Sequence, residues 1–183
     1  MTLLRDVVDA SERVASTASR RAKIAEIAGL LRRLQPDEID IGVAFLAGET
    51  RQRKTGIGYS LLDSARVAAA PAASLEILSV DRTIDAIART SGRGSLTGRS
   101  RLLTELFAAA TEREQAFLAR LLLGELRQGA LEGLMIEAVA SAADLPAADV
   151  RRAAMIAGGV AAVARAAVIR GHDGLQAFSI ALF

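Results

Sequence analysis

A chain of 183 residues can bury a sizeable core, and with 51% apolar but only 3% aromatic residues that core has to be aliphatic. The absence of cysteine excludes disulfides, thiolate metal sites and cysteine nucleophiles together. A net charge of +2 does not by itself imply a nucleic-acid partner. No run of about 18 uncharged apolar residues is present and the N-terminus lacks the basic-then-apolar order of a signal peptide, so a soluble, cytoplasmic protein is expected.

In chain order, Leu3–Ala15 reads as an amphipathic helix with Leu3, Leu4, Val7, Val8 and Val14 on or near one face. A break rich in capping residues, Ser16–Ser19, precedes a long helix to about Leu34. Pro36-Asp37 restarts the chain and Ile39–Leu46 forms the next helix, ending at Gly48. A basic loop, Arg51–Gly58, leads to a helix over Tyr59–Ala69, then Pro71, a short turn at Leu75–Leu78 and a helix over Val80–Arg89. Ser91–Ser95 is the most flexible-looking loop, followed by helix over Leu102–Ala110. Thr111-Glu112-Arg113-Glu114 has the form of a capping box, in which the threonine and the glutamate satisfy each other's amides, and it opens an apolar helix to Gly124. Helices over Leu131–Ala142, Pro146–Ile156 and Val160–Ile169 follow, separated by Pro146 and by Gly158-Gly159; Gly171–Gly174 is a turn before an apolar end. Alternation never persists, so the expected fold is an all-α, multi-helix single domain over residues 1–183.

Charge is distributed unevenly. Arg13, Arg20, Arg21 and Lys23 form one acid-free segment, and Arg89, Arg93, Arg99 and Arg101 another, which suggests a sided positive field. Against that, the chain has twenty-one Arg, two Lys and no Asn, a skew that a GC-rich coding background explains equally well. The single histidine, His172, reads as a loop residue rather than a metal ligand.

Gly124-Glu125-Leu126-Arg127-Gln128-Gly129 stands between two apolar helical runs, and Gly48-Glu49-Thr50-Arg51-Gln52 is a near copy. A glycine corner allows positive φ and close approach of another backbone, and the helix that follows offers unpaired N–H groups to phosphate. Further blocks keep the same order: Ser16…Arg20…Glu26 with Ser95…Arg99…Glu105, Gly56…Leu61-Leu62 with Gly129…Leu134-Met135, and Pro71–Leu75 with Pro146–Val150. This predicts an internal repeat, roughly 16–75 and 95–150, with two helical halves related by a pseudo-two-fold axis. Such a pair could match the local two-fold axes of a DNA duplex, contacting backbone rather than reading bases.

At these residues the chain resembles the N-terminal DNA-binding domain of ATP-dependent DNA ligases, of an actinobacterial type. The resemblance runs over nearly the whole length. It is carried best by Ile87–Gly92 through Ser95, by Leu106-Phe107, by Phe117–Leu122 with Gly124, Leu126, Arg127 and Gly129, and by Gly56-Ile57-Gly58 with Leu61-Leu62. It implies an all-helical unit that sits across the minor groove opposite a nick and helps nucleotidyltransferase and OB domains to encircle the duplex. It also implies that Gly124, Arg127, Gly129 and Leu131 contact backbone and minor groove, Leu131 through its amide because a small residue is sometimes found there. Ser95 and Arg99 fall on a second phosphate-contacting helix start, where Gly98-Arg99 keeps one of the usual basic pair. Arg51, Gly56 and Gly58 are their first-half counterparts.

The same resemblance implies ATP and Mg2+ for the full-length ligase, but no cofactor for this chain. The adenylated lysine of the family lies in Lys-x-Asp-Gly, which neither Lys23-Ile24-Ala25-Glu26 nor Lys54-Thr55-Gly56-Ile57 fits. There is also no Gly-x-x-x-x-Gly-Lys phosphate loop and no carboxylate cluster at metal-ligand spacing, so no catalytic residue is expected. The chain reads as an excised, monomeric domain, inactive alone, whose partners are nicked double-stranded DNA and the parent's catalytic domains. An all-helical protein-interaction scaffold is the alternative reading, and a helical DNA-repair glycosylase a weaker one.

Overall fold

The computed structural model describes residues 1–52, 54–126 and 131–178, and among these ten helices account for all regular structure apart from one isolated bridge, Leu3 to Glu76. They are α1 (Leu4–Ser16), α2 (Arg20–Leu31), α3 (Ile39–Leu46), α4 (Tyr59–Ser64), α5 (Ile77–Arg89), α6 (Ser95–Ala108), α7 (Glu112–Leu122), α8 (Leu131–Ala143), α9 (Ala147–Ala157) and α10 (Val160–Gln176). The all-α expectation therefore holds among the described residues.

Aliphatic side chains at helical spacing build one continuous core: Leu4, Val7, Val8 and Val14 of α1, Ile27, Leu30 and Leu31 of α2, Ile77, Val80, Ile84 and Ile87 of α5, and Leu118 and Leu121 of α7 are all buried. The broadest packing is α2 on α8 and α9 on α10; α8 also lies against α9 and α10, and α1 against α2. Across the middle of the chain, α5 and α4 pack on α6, α1 on α7 and α3 on α10. The N-terminal residues are pinned at both sides, with Leu4 N–H donating to Leu75 O at 2.7 Å and Ile77 N–H to Thr2 O at 3.1 Å.

Four element boundaries differ from the sequence reading. The helix expected over Tyr59–Ala69 stops at Ser64, because residues up to Ala70 are docked on the α6–α7 junction. Ala70 N–H donates to Ala110 O at 2.8 Å, and Gln115 Nε2 to Val67 O at 3.4 Å. Pro71 also disfavours helix at the residue before it. The α6 helix starts at Ser95 instead of Leu102, since Gly94 (φ 81°) turns the chain into it and Gly98 N–H already bonds Gly94 O. The α5 helix absorbs the short turn at Leu75–Leu78 by starting at Ile77, and α10 runs past Gly171 (φ 55°, ψ −135°) with a kink.

Candidate nucleic-acid interface

The two glycine corners have the same backbone geometry. Gly48 (φ 75°) donates to Phe45 O at 3.1 Å, and Glu49 N–H to Ala44 O at 2.9 Å; Gly124 (φ 69°) donates to Leu121 O at 3.1 Å, and Glu125 N–H to Arg120 O at 2.7 Å. Each is a Schellman termination, in which a left-handed residue after the helix lets two amides satisfy its last carbonyls. The corners also meet: a Cβ on Gly48 would lie 3.0 Å from both Cβ and the carbonyl oxygen of Leu126, which is itself buried. Around Gly124 a Cβ would meet nothing within 4 Å.

Beyond Gly48 the chain turns inward. Arg51 grips Asp81 of α5 with two nitrogens, Nε to Oδ1 at 3.0 Å and Nη2 to Oδ2, and Gln52 Nε2 donates to the same residue's carbonyl and carboxylate at 3.3 and 3.2 Å. Asp81's side chain is 4% exposed and Arg51's 46%, so the acid is buried and the base caps it from the surface. The hydrogen bonds that Arg51 donates to Asp81 push its guanidinium up, against burial and with help from the charges of Asp81, Asp40 and Asp85. A cleft of about 420 Å3 opens beside the pair, lined by Arg51, Gln52, Asp81, Arg82, Asp85 and Arg89, the last two joined at 2.8 Å.

The loop after Arg51 and the head of α6 form one unit. Gly56 (φ 65°) has no room for a side chain, because the Arg99 guanidinium lies where its Cβ would be; Arg99 donates Nη2 to Thr55 O and Nε to Ile87 O at 3.2 Å. Two of the expected contact residues thus touch each other, and Nη1 of Arg99 has neither carbonyl as a partner. Ser95 N–H donates to Gly92 O at 3.2 Å, closing the turn that leads into α6. Gly58 has extended backbone (φ −122°) with open space for a Cβ, so nothing there demands glycine. It precedes α4, whose Tyr59 hydroxyl bonds Glu125 beside Gly124 and whose Ser64 reaches Ser100 at 3.4 Å.

Through these contacts Gly56 and Arg99 touch, Ser95 lies one turn before Arg99 on α6, and Gly58 is linked to the Gly124 corner through Tyr59 and Glu125, whereas Arg51 is held on α5 by Asp81. Leu131 opens α8, while Arg127 and Gly129 lie outside the described residues. Ion pairs moderate both basic segments: Arg13 pairs with Glu26, Arg20 with Glu137, Arg89 with Asp85 and Arg101 with Glu105. Exposed Lys54, Arg93 and Arg120 have no ion-pair partner among the described residues.

Two buried glutamates were missed by the sequence reading as a pair, although only the same ten-residue spacing to each corner glycine was needed to find them. Glu38 precedes Gly48, and Glu114 precedes Gly124; both are fully buried. Each accepts from the amide three residues earlier, Gln35 N–H at 2.9 Å and Thr111 N–H at 2.9 Å, so each fixes the start of the helix that ends at a corner. Glu38 also takes Thr2 N–H at 2.8 Å and Thr2 Oγ1–H at 2.7 Å, whereas Oε1 of Glu114 has no hydrogen-bond partner among the described residues. Burial alone would push the Glu38 carboxyl up; the three hydrogen bonds outweigh it and hold it below the ordinary value.

No group of three metal-ligating side chains occurs among the described residues, and no helix there is long and apolar enough to cross a membrane. Residues 62–140 match the family described as "DNA ligase N terminus". The chain is similar to the "Probable DNA ligase" of Mycolicibacterium gilvum (52% identical over 97% of this chain and 35% of the relative) and of Beutenbergia cavernae (55%, over 91% and 32%). A third such relative, from Saccharopolyspora erythraea, is 49% identical over 98% of this chain and 35% of the relative. The chain spans about a third of the length of these relatives. By the match over residues 62–140 and by these relatives, the chain belongs with the N-terminal domains of DNA ligases.

Proposed function

We propose that the domain binds nicked double-stranded DNA through backbone and minor groove, without reading sequence. It would do so as the N-terminal part of an ATP-dependent ligase that seals nicks in replication, repair and recombination. The observation that carries this is the contact of Arg99 with Gly56, one turn from Ser95, and the link from Gly58 to the Gly124 corner, with Lys54, Arg93 and Arg120 exposed. Hydroxyls, guanidinium N–H groups and open glycine backbone are phosphate-positioning chemistry. Arg127, Gly129 and the Leu131 amide complete the proposed contact set. The two halves are read as an internal duplication. Supporting that, the corners share one cap geometry at one spacing from a buried glutamate, and α2 packing on α8 is mirrored by α4 packing on α6.

ATP and Mg2+ would serve the parent's nucleotidyltransferase and OB domains, which would be partners of this one. The donor set here fits neither group, with no Lys-x-Asp-Gly in the sequence and no carboxylate cluster among the described residues. A monomeric, cytoplasmic protein completes the proposal. Titration of nicked duplex at several salt concentrations tests it. Log K should fall linearly with log salt, each phosphate contact adding about 0.9 to the slope. Arg127→Ala should weaken binding about five- to tenfold, to the same degree on unrelated sequences, the size of one charge-assisted contact. Absence of binding at low salt, or affinity indifferent to salt, overturns the reading in favour of a protein-interaction scaffold.

A further inference from the structure

Tyr59 is the only tyrosine of a chain without tryptophan, and it is 70% exposed at the first position of α4. Its hydroxyl donates to the exposed carboxylate of Glu125, the residue after Gly124. Both residues are fixed at their backbones. Leu61 and Leu62 bury the next turn of α4, and Glu125 N–H is held by Arg120 O at 2.7 Å. Only the side-chain tips are free to choose partners. Glu125 is also an anion inside a region otherwise suited to phosphate, so it opposes the ligand that the surrounding donors favour.

We propose that Tyr59 is a DNA-backbone ligand whose hydroxyl is held by the Glu125 carboxylate, as an internal phosphate mimic, until a phosphate displaces it. This rests on the reading that the Gly124 corner contacts the DNA backbone. On binding, one hydrogen bond is exchanged for another of the same kind: Tyr59 O–H turns from a carboxylate oxygen to a phosphate oxygen, and no proton is released. The exchange is easy because both groups are at the surface, where such a contact contributes little to stability. Glu125 then acts as a filter, since a weak or misplaced anion does not displace it while a backbone held by several other contacts does.

The test uses 19F NMR of the chain labelled with 3-fluorotyrosine, which gives a single resonance from position 59, together with anisotropy titrations of nicked duplex. Adding DNA to the wild type should shift that resonance in the direction produced by Glu125→Gln alone. Tyr59→Phe should weaken binding about threefold, the net effect of exchanging one hydrogen bond for another, and should weaken it further in the Glu125→Gln background, where no carboxylate holds the hydroxyl before DNA arrives. Glu125→Gln should tighten binding about threefold, with the gain shrinking as salt is raised. If the wild type binds DNA but the resonance stays put and Tyr59→Phe binds like the wild type, the proposal is overturned while the DNA reading stands. If the wild type binds no DNA at low salt, both fall.

Discussion

The corner that closes α3 and the corner that closes α7 share their Gly-Glu pair and both capping hydrogen bonds, yet their surroundings are opposite. At Gly48 the backbone is pressed against Leu126, and the arginine and glutamine that follow are tied to Asp81. At Gly124 the space where a side chain would stand is open. Local sequence therefore sets the turn, and the tertiary neighbour decides whether it is a packing joint or an accessible surface. The first corner supports the second, whose glycine faces open space.

The largest expected effect comes from adding one methyl group to each. Gly48→Ala forces a side chain into the left-handed region, about 1–2 kcal/mol, and pushes its Cβ onto the Leu126 backbone, which adds roughly 1–3 kcal/mol of overpacking. Urea unfolding should show a loss of about 3 kcal/mol. Gly124→Ala carries only the first cost and should lose about 1 kcal/mol. Equal losses at the two sites would erase the distinction drawn above.

These two positions also show what could be read in advance. Helical periodicity and glycine placement located both corners, the all-α class and most helices, because those are local properties of the chain. That Arg51 belongs to Asp81, or that Gly56 makes room for Arg99, depends on partners 30 and more residues away and leaves no mark in the local pattern. The α6 start was obscured for a related reason: glycines that look like loop at Gly94 and Gly98 serve as the helix's entry and its first bonded turn. An alanine-rich stretch before Pro71 favours helix by propensity, but docking on Ala110 prevails.

The buried glutamates give the next contrast. Glu38→Gln places an NH2 group among the donors Thr2 N–H, Thr2 Oγ1–H and Gln35 N–H and should cost about 2 kcal/mol, since a buried polar group is left unsatisfied. Glu114→Gln keeps an oxygen for Thr111 and replaces an oxygen that had no partner, so its loss should stay below about 1 kcal/mol. The pH dependence separates them further. Because the folded Glu38 carboxyl lies below its ordinary 4.5, its contribution is fully present above that value and is lost as pH falls through the folded one. Chemical denaturation between pH 5 and pH 2, roughly the range over which a hydrogen-bonded carboxylate protonates, should show a steeper decline in the wild type than in Glu38→Gln.

A further small effect is the most informative about binding. Asp81→Asn keeps the shape of the Arg51 contact but removes its charge, and because Arg51 is half exposed the stability loss should be only about 1 kcal/mol. What changes is the reach of the guanidinium. In the wild type its two bonded nitrogens face a buried carboxylate, which competes with any phosphate that approaches the cleft shared with Arg82 and Arg89. Without that competitor Arg51 becomes a donor available to DNA, and the salt slope for nicked duplex should steepen by about 1, the signature of one added phosphate contact. An unchanged slope would place Arg51 too deep to reach the backbone even when released, and would leave the first corner as a structural joint alone. A steeper slope would show that the accessibility of the two corners differs through a single buried carboxylate on α5, not through the turns themselves.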